Sequence, residues 1–274
     1  MAAFEELKGR VAVVTGAAQG IGRATATTLA AHGMAVVVVD LNDARGGMVV
    51  REIEQAGGRA TYVHADVGTA AGCHAMVDTA VQGFGGVYAL VNNARWHPHV
   101  PLTEIVESDW DRSQAVLLKS HYLASKYAIP HMIAGGGGAI VGISSVHAIQ
   151  VTDNEASYEA AKAGINALMR SIACAYGPQN IRANAIMPGG IVTDVKQSAW
   201  ETNLEQQALT RLQNPIGRPG FAQDIANAVL FLVSDLASFV TGESLVVDGG
   251  MSIQLAGVAT HKALAWERAG RPGA

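Results

Sequence analysis

The sequence predicts a single α/β domain built on a doubly wound, seven-stranded parallel sheet. Three observations predict it. Seven short β-branched runs alternate with helical segments, at 11–15, 35–40, 60–65, 87–91, 138–143, 181–186 and 244–248. The runs are nearly continuous in apolar residues, the pattern of strands covered on both faces. The first run, Val11 to Thr15, passes through a glycine-rich turn into a helical stretch from Arg23 to His32. Right-handed crossovers then place a ligand crevice at the carboxyl ends of the strands.

Taken in order, the turn Gly16-Ala-Ala-Gln19-Gly20-Ile21-Gly22 lets backbone approach a pyrophosphate, whose charge is met by amides at a helix N-terminus. Its G-x-x-x-G-x-G spacing differs from the commoner G-x-G-x-x-G form of a Rossmann-like fold. The second run, Ala35 to Asp40, ends in a carboxylate where such units place one on the adenosine ribose hydroxyls. That carboxylate repels a 2′-phosphate, and no Arg or Lys adjoins Asp40 and Leu41 in sequence, so NAD is expected over NADP. The run Gly135 to Gly138 reads as a tight loop before the fifth strand.

After the fifth strand come Ser145 and then Tyr158-Glu-Ala-Ala-Lys162. Positions i and i+4 share a helix face, so the Lys162 ammonium is expected beside the Tyr158 hydroxyl, favouring the phenolate. A free phenol titrates near 10 and must come down to trade protons near neutral pH. Ser145 is expected to hold the substrate oxygen. The chemistry implied is reversible hydride transfer between a secondary alcohol and a ketone, with the cofactor as redox agent and no metal.

With Thr15-Gly16-x-x-x-Gly20-Ile21-Gly22, Asp66-Val67, Asn92-Asn93-Ala94, Ser145, Tyr158-x-x-x-Lys162 and Pro188-Gly189-Gly190-Ile191-Val192-Thr193 in that order, residues 7 to 252 resemble the single-domain short-chain dehydrogenase/reductases. Asn214 to Gly220, Asp224-Ile225-Ala226 and Thr241 to Gly250 are similar to that family too. The resemblance implies Ser145, Tyr158 and Lys162 as the catalytic set. It implies a cofactor set of Gly16, Gln19, Gly20, Ile21, Gly22, Asp40, Leu41, Asp66, Val67, Asn92, Asn93, Ala94, Tyr158, Lys162, Pro188, Gly189, Ile191 and Thr193. Within it, Asp66 and Val67 take the adenine, Asn93 and Ala94 the ribose region, and Ile191 and Thr193 the nicotinamide carboxamide. It also implies a substrate lid at about 194–213 and a symmetric dimer or, preferably, homotetramer paired through the Tyr158 helix, whose small residues are Ala160, Ala161, Ala163, Gly164 and Ala167.

Two departures stand out. Leu117 falls where the family carries an asparagine that holds a water linking the lysine to solvent, leaving that relay incomplete or rerouted. Arg95 replaces the glycine after Asn-Asn-Ala and precedes Trp96-His97-Pro98-His99. Two readings of Arg95 stand: it meets an anionic group on the substrate with Trp96 as a wall, or it pairs with an acidic neighbour. His147 either faces the substrate or lies on the surface, and Asp153, Asn154 and Glu155 form a polar approach to Tyr158.

Apolar residues make up 49% of the chain and charged ones 15%, with a formal net charge of −4 and no long basic run. A small-molecule substrate is therefore expected, with neither nucleic acid nor membrane as partner. Two cysteines, Cys73 and Cys174, imply no disulfide framework, and both read as buried thiols. The N-terminal segment has mixed charge and no apolar core, so the expected location is cytoplasmic. Residues 1–251 form the oxidoreductase domain and 252–274 an extension that either caps a neighbouring subunit's site or frays. The alternative to an enzyme is an NAD-binding sensor or scaffold with vestigial catalysis.

Overall fold

In a computed structural model that describes residues 4–271, the seven expected strands form one parallel sheet. They are β1 (Val11–Thr15), β2 (Ala35–Asp40), β3 (Arg59–His64), β4 (Ala89–Asn92), β5 (Gly138–Ile143), β6 (Ile181–Pro188) and, last in the chain, β9 (Ser244–Val247). The order is β3-β2-β1-β4-β5-β6-β9. The chain winds outward from β1 in one direction and from β4 in the other, so the crevice opens where β1 and β4 diverge. Register pairs Ala12 with Ala89 and Val13 with Leu90 across that junction.

The alternation of side chains along a strand divides the core into two layers. Val13, Val37, Leu90 and Ile140 face α3 (Ala70–Phe84), α5 (Ser120–Ala134) and α6 (Ala156–Tyr176), through Met76, Val77, Leu123, Met132, Ile165 and Met169. Ala12, Val14, Val36 and Val38 face α1 (Gly20–Ala31), α2 (Asp43–Gln55) and α9 (Ala222–Val233), through Leu29, Val49, Ile53, Val229 and Val233. Caps fix the helix ends. Asn42 Oδ1 accepts from Arg45 N at 3.0 Å to start α2, and α3 stops at Gly85, whose φ is 90°.

Several boundaries shift. Strand β3 runs one residue earlier than the sequence pattern, β4 begins at Ala89, and β6 extends to Pro188. A second, two-stranded sheet pairs β7 (Ile191–Val192) with β8 (Gly220–Phe221). Between α4 (Glu107–Gln114) and α5 the helix widens into a π-helical stretch, Ala115–Lys119. The segment expected as a substrate lid is two helices, α7 (Asp194–Thr202) and α8 (Leu204–Gln213). The extension is not frayed over 256–268: it forms α10 (Ala256–Arg268), which packs on α8 of its own chain and is followed by an Arg271–Glu205 ion pair at 3.0 Å. Among the described residues no helix is long and apolar enough to cross a membrane.

Small residues on α6 split between two uses. Ala161 is buried in the core, and a Cβ on Gly164 would meet Leu118 Cδ2 at 2.8 Å, whereas Ala160, Ala163 and Ala167 are exposed. Cys73 is buried as expected, but Cys174 is exposed, because its position on α6 turns away from the sheet.

Candidate active site

A crevice of about 450 Å3 lies across the carboxyl ends of the strands. The β1 end supplies its floor. Gly16 and Gly20 take positive φ, 63° and 56°, and a Cβ on Gly22 would fall 2.1 Å from Gly16 O, so only glycine allows the turn to fold onto α1. Asn93 braces this turn: its Nδ2 donates to Thr15 O at 2.9 Å and Gly16 O at 3.2 Å. Asp194, at the head of the lid, closes over it, Oδ1 accepting from Gly20 N at 2.8 Å, while Arg23 bridges Glu52 and Asp194.

At one end of the crevice, Asp40 accepts from Ala18 N at 3.0 Å through Oδ2 and from Leu41 N and Asn42 N through Oδ1. Beside it Asp66 is held by both guanidinium nitrogens of Arg112, at 2.9 and 3.0 Å. Burial opposes ionisation of Asp66, but Arg112 and the Gly68 amide outweigh it and keep the carboxyl below its usual range. Ala65 and Val67 supply apolar wall.

The other end gathers Ser145, Tyr158 and Lys162. Ser145 Oγ accepts from His147 N at 3.1 Å, orienting the hydroxyl. Ser144 Oγ donates to Lys162 O at 2.8 Å, tying the second turn of α6 to the end of β5. Lys162 lies with Nζ 5.2 Å from the Tyr158 ring centroid and donates to Ile143 O at 2.5 Å. Two imidazoles flank the tyrosine, His97 at 4.5 Å and His147 at 5.7 Å between centroids. Each is backed by an acid. His97 Nε2 lies 2.9 Å from Glu155, which also meets His99 at 2.9 Å, and His147 Nδ1 lies 3.4 Å from Glu159.

One electrostatic expectation is corrected. Burial pushes the Tyr158 phenol up from its ordinary value, and Ser145 and Arg95, which pull it down, do not offset this. The Lys162 ammonium is itself pushed down to about 7, by burial first and then by Arg95. One N–H of the Lys162 ammonium donates to Ile143 O, and burial is the largest influence on both Tyr158 and Lys162.

Of the expected residues, Gly16, Gln19, Gly20, Ile21, Asp40, Leu41, Asp66, Val67, Asn93, Ala94, Arg95, Trp96, Ser145, Tyr158, Lys162, Pro188, Gly189, Ile191 and Thr193 line the crevice. Gly22 and Asn92 do not: the first is packed against Gly16, and the second is buried. Asp153 is exposed and away from the wall; the acid that reaches Tyr158 is Glu155. His147 touches the tyrosine ring rather than the crevice wall itself.

Three contributors escape sequence reasoning. Arg112 sits in the Trp-Asp-Arg run but its partner Asp66 is 46 residues away. Arg45 is brought by the first turn of α2 to Gln19 Oε1, flanking the glycine turn opposite Asp40. His121 is fully buried near Lys162, with its pKa pushed down to about 3 by burial and by that lysine. Among the described residues no cluster of His, Cys, Asp or Glu is arranged to hold a metal.

The donor set fits a dinucleotide. A carboxylate stands where ribose hydroxyls need an acceptor, a glycine turn opens a helix N-terminus midway, and apolar residues with Tyr158 line the far end.

Comparison with known proteins agrees. Residues 16–252 match the family described as enoyl-(acyl carrier protein) reductase. The cis-4-hydroxycyclohexanecarboxylate dehydrogenase of Sinomonas cyclohexanicum is 42% identical over 242 residues, 88% of this chain and 96% of its own. A solved 7α-hydroxysteroid dehydrogenase, complexed with NADH and 7-oxo glycochenodeoxycholic acid, superposes with a TM-score of 0.83 at 39% identity, over 89% of this chain and 94% of that one. A gluconate 5-dehydrogenase from Burkholderia cenocepacia J2315, in complex with NADP and tartrate, gives a TM-score of 0.83 at 29% identity, over 92% and 99%.

Proposed function

Because the chain belongs to the short-chain dehydrogenase/reductase family, we propose that it is an NAD(H)-dependent oxidoreductase interconverting a secondary alcohol and a ketone. The observation that carries this reading is the crevice itself: Ser145, Tyr158 and Lys162 at one end, Asp40 at the other, and the glycine turn between. The relatives named above act on, or are complexed with, ring-borne or polyhydroxylated compounds, several of them acids, and the same substrate types head the panel for this protein.

In the proposed mechanism the bound nicotinamide supplies the hydride acceptor or donor. The chain's residues do the rest. Ser145 Oγ, already oriented by the His147 amide, holds the substrate oxygen. Tyr158 takes the hydroxyl proton in oxidation and returns it in reduction. Lys162 donates to Ile143 O at the inner end of the crevice, where it would hold the nicotinamide ribose and where a developing phenolate at Tyr158 would favour its charged form. Asp40 and Leu41 hold the adenosine ribose, Asp66 and Val67 the adenine, and Ile191 and Thr193 the carboxamide. Asn93 acts through the glycine turn that it braces.

The preference for NAD rests on Asp40. The opposing observation is Arg45, a guanidinium close enough to the same turn to meet a 2′-phosphate. A second reading, a cofactor-binding protein with little turnover, draws on Leu117, which is fully buried in the π-helical stretch, and on the raised Tyr158 phenol. For assembly we propose pairing through the exposed Ala160, Ala163 and Ala167 of α6, giving a dimer or tetramer that light scattering would count.

The experiment is NADH and NADPH formation on a panel of cyclic, sugar-like and anionic secondary alcohols, with Tyr158→Phe as control. NADH appearing only with Tyr158 intact supports the dehydrogenase. Tight NADH binding with no turnover in either direction moves the function to the second reading.

A further inference from the structure

We propose that Arg95 anchors a carboxylate on the substrate, so that the preferred alcohol carries an anionic group on the frame that bears its carbinol. This deepens the dehydrogenase reading and rests on it for the reaction, but not for the binding.

Arg95 follows Ala94 at the carboxyl end of β4 and stands on the crevice wall with Ser145, Tyr158 and Lys162. Its charge is felt by all the groups around it: it pulls Tyr158 and Lys162 down, and His97 as well. Among the described residues no carboxylate lies within ion-pair distance of it, and the acids in and around the crevice are taken by other partners. Glu155 is shared by His97 and His99, both at 2.9 Å. Glu159 Oε1 accepts from Thr152 N at 2.8 Å and faces His147. Asp66 is taken by Arg112 through both oxygens. Asp40 is held by three amides at the far end.

The result is a guanidinium without a counter-ion on the same wall as a buried lysine whose charge it disfavours. Such an arrangement is relieved by an anion entering from the crevice. A guanidinium presents parallel N–H donors that match a carboxylate edge, and the match strengthens where water is excluded. Trp96, 41% exposed, adjoins it and offers an indole face to the carbon frame. The carboxylate at Arg95 and the carbinol at Tyr158 and Ser145 then fix two points of one molecule, which is how orientation is set for transfer.

A cofactor phosphate is the other anion within the crevice, and the test separates the two. Arg95→Gln and Arg95→Lys are compared with the unaltered protein on cyclic hydroxy acids and on the matching carboxamides. Binding of cyclohexanecarboxylate and of cyclohexanecarboxamide to the protein–NADH complex is measured by calorimetry. The expected result for Arg95→Gln is a fall in kcat/KM for the acids about 30-fold greater than for the amides, mainly in KM, which is about 2 kcal/mol at 1.4 kcal/mol per tenfold. Arg95→Lys recovers part of it, and cyclohexanecarboxylate binding weakens while the amide does not change. Equal losses on acid and amide, or no preference for acids in the unaltered protein, overturn the proposal. So does a weakened NADH affinity with an unchanged acid-to-amide ratio, which assigns Arg95 to the cofactor. If no substrate turns over, the calorimetry still decides the anion site while the dehydrogenase reading alone fails.

Discussion

Asp40→Asn is the substitution that most directly tests the cofactor assignment. The asparagine keeps one side-chain oxygen for the Leu41 and Asn42 amides, removes the charge and gives up the acceptor for Ala18 N, so a Tm measurement accompanies it. A 2′-phosphate would meet the native carboxylate at close range. At about 5 Å and an effective dielectric near 20, each pair of unit charges costs ~3 kcal/mol. Asp40 is only half-buried, and solvent screening reduces this to about 1–2 kcal/mol. At 1.4 kcal/mol per tenfold, the ratio of NADPH to NADH affinity rises about 5- to 30-fold. The gain depends on Arg45, which flanks the same turn through Gln19. Fluorescence titration of both reduced cofactors against Asp40→Asn, Arg45→Ala and the double variant completes a cycle. The expected pattern is a gain in NADPH affinity in the first variant that disappears in the double. A ratio unmoved by Asp40→Asn refutes the role of the carboxylate, and a gain that survives loss of Arg45 refutes the role of the guanidinium.

Tyr158→Phe removes the proton donor and leaves the crevice shape, so turnover falls by at least about 100-fold, within the usual range for general acid–base catalysis, while NADH still binds; unchanged turnover excludes Tyr158. Gly22→Ala places a Cβ 2.1 Å from Gly16 O and 2.7 Å from Asn93 Nδ2, so the turn must open. Overpacking of this kind costs about 1–3 kcal/mol, and both Tm and NADH affinity should drop; retention of both would show that the turn yields freely. Lys162, with a folded pKa near 7 against an ordinary 10.5, penalises the folded state fully below pH 7, where it must be charged in place. Between pH 7 and 10.5 the unfolded chain holds the extra proton, so this contribution to stability rises with pH. The Tm of cofactor-free protein, scanned from pH 6 to 9.5, should show that rise and lose it in Lys162→Met; the Cys73 thiol, pushed up to about 12, opposes the rise only toward the top of the scan, where the unfolded chain's thiol ionises and the folded one does not.

The central strands were legible because Val11–Thr15, Ala35–Asp40 and Gly138–Ile143 are buried on both faces, and continuous apolar runs have no other economical reading in an α/β chain. The β7–β8 pair was not, since two residues in each strand carry no periodicity. Within the site, residues in one turn or on one helix face were placed correctly: Gly16 to Ile21, Asp40, and Tyr158 with Lys162. What escaped depends on contacts between distant segments. The Asp66–Arg112 pair spans 46 residues, and the link between Gln19 and Arg45 spans 26. Asp153, Asn154 and Glu155 were expected together as a polar approach to Tyr158, and the sequence cannot show that Glu155 is the one whose charge reaches the phenol while Asp153 is exposed. The Tyr158–Lys162 spacing gave the right proximity but not the right electrostatics, since desolvation depends on everything packed around the pair.

Of the two departures from the family pattern, Arg95 acts on Lys162. Leu117 is an apolar, fully buried side chain where the resemblance implies an amide and its water, and His121, near Lys162, is held uncharged by burial. Arg95 adds a positive charge on the crevice side. Burial and Arg95 press Lys162 toward its neutral form near pH 7, while Arg95 itself pulls the Tyr158 phenol down. An anion entering the crevice reverses the effect on Lys162 by neutralising Arg95, and a substrate carboxylate does so in the same step that places the carbinol. On this argument the pH dependence of kcat/KM should differ between cyclic acids and their amides. The limb that reports Lys162 lies at higher pH for the acids, and Arg95→Gln brings the two profiles together by raising the amide limb. Superimposable profiles for acid and amide in the unaltered protein would uncouple Arg95 from the lysine.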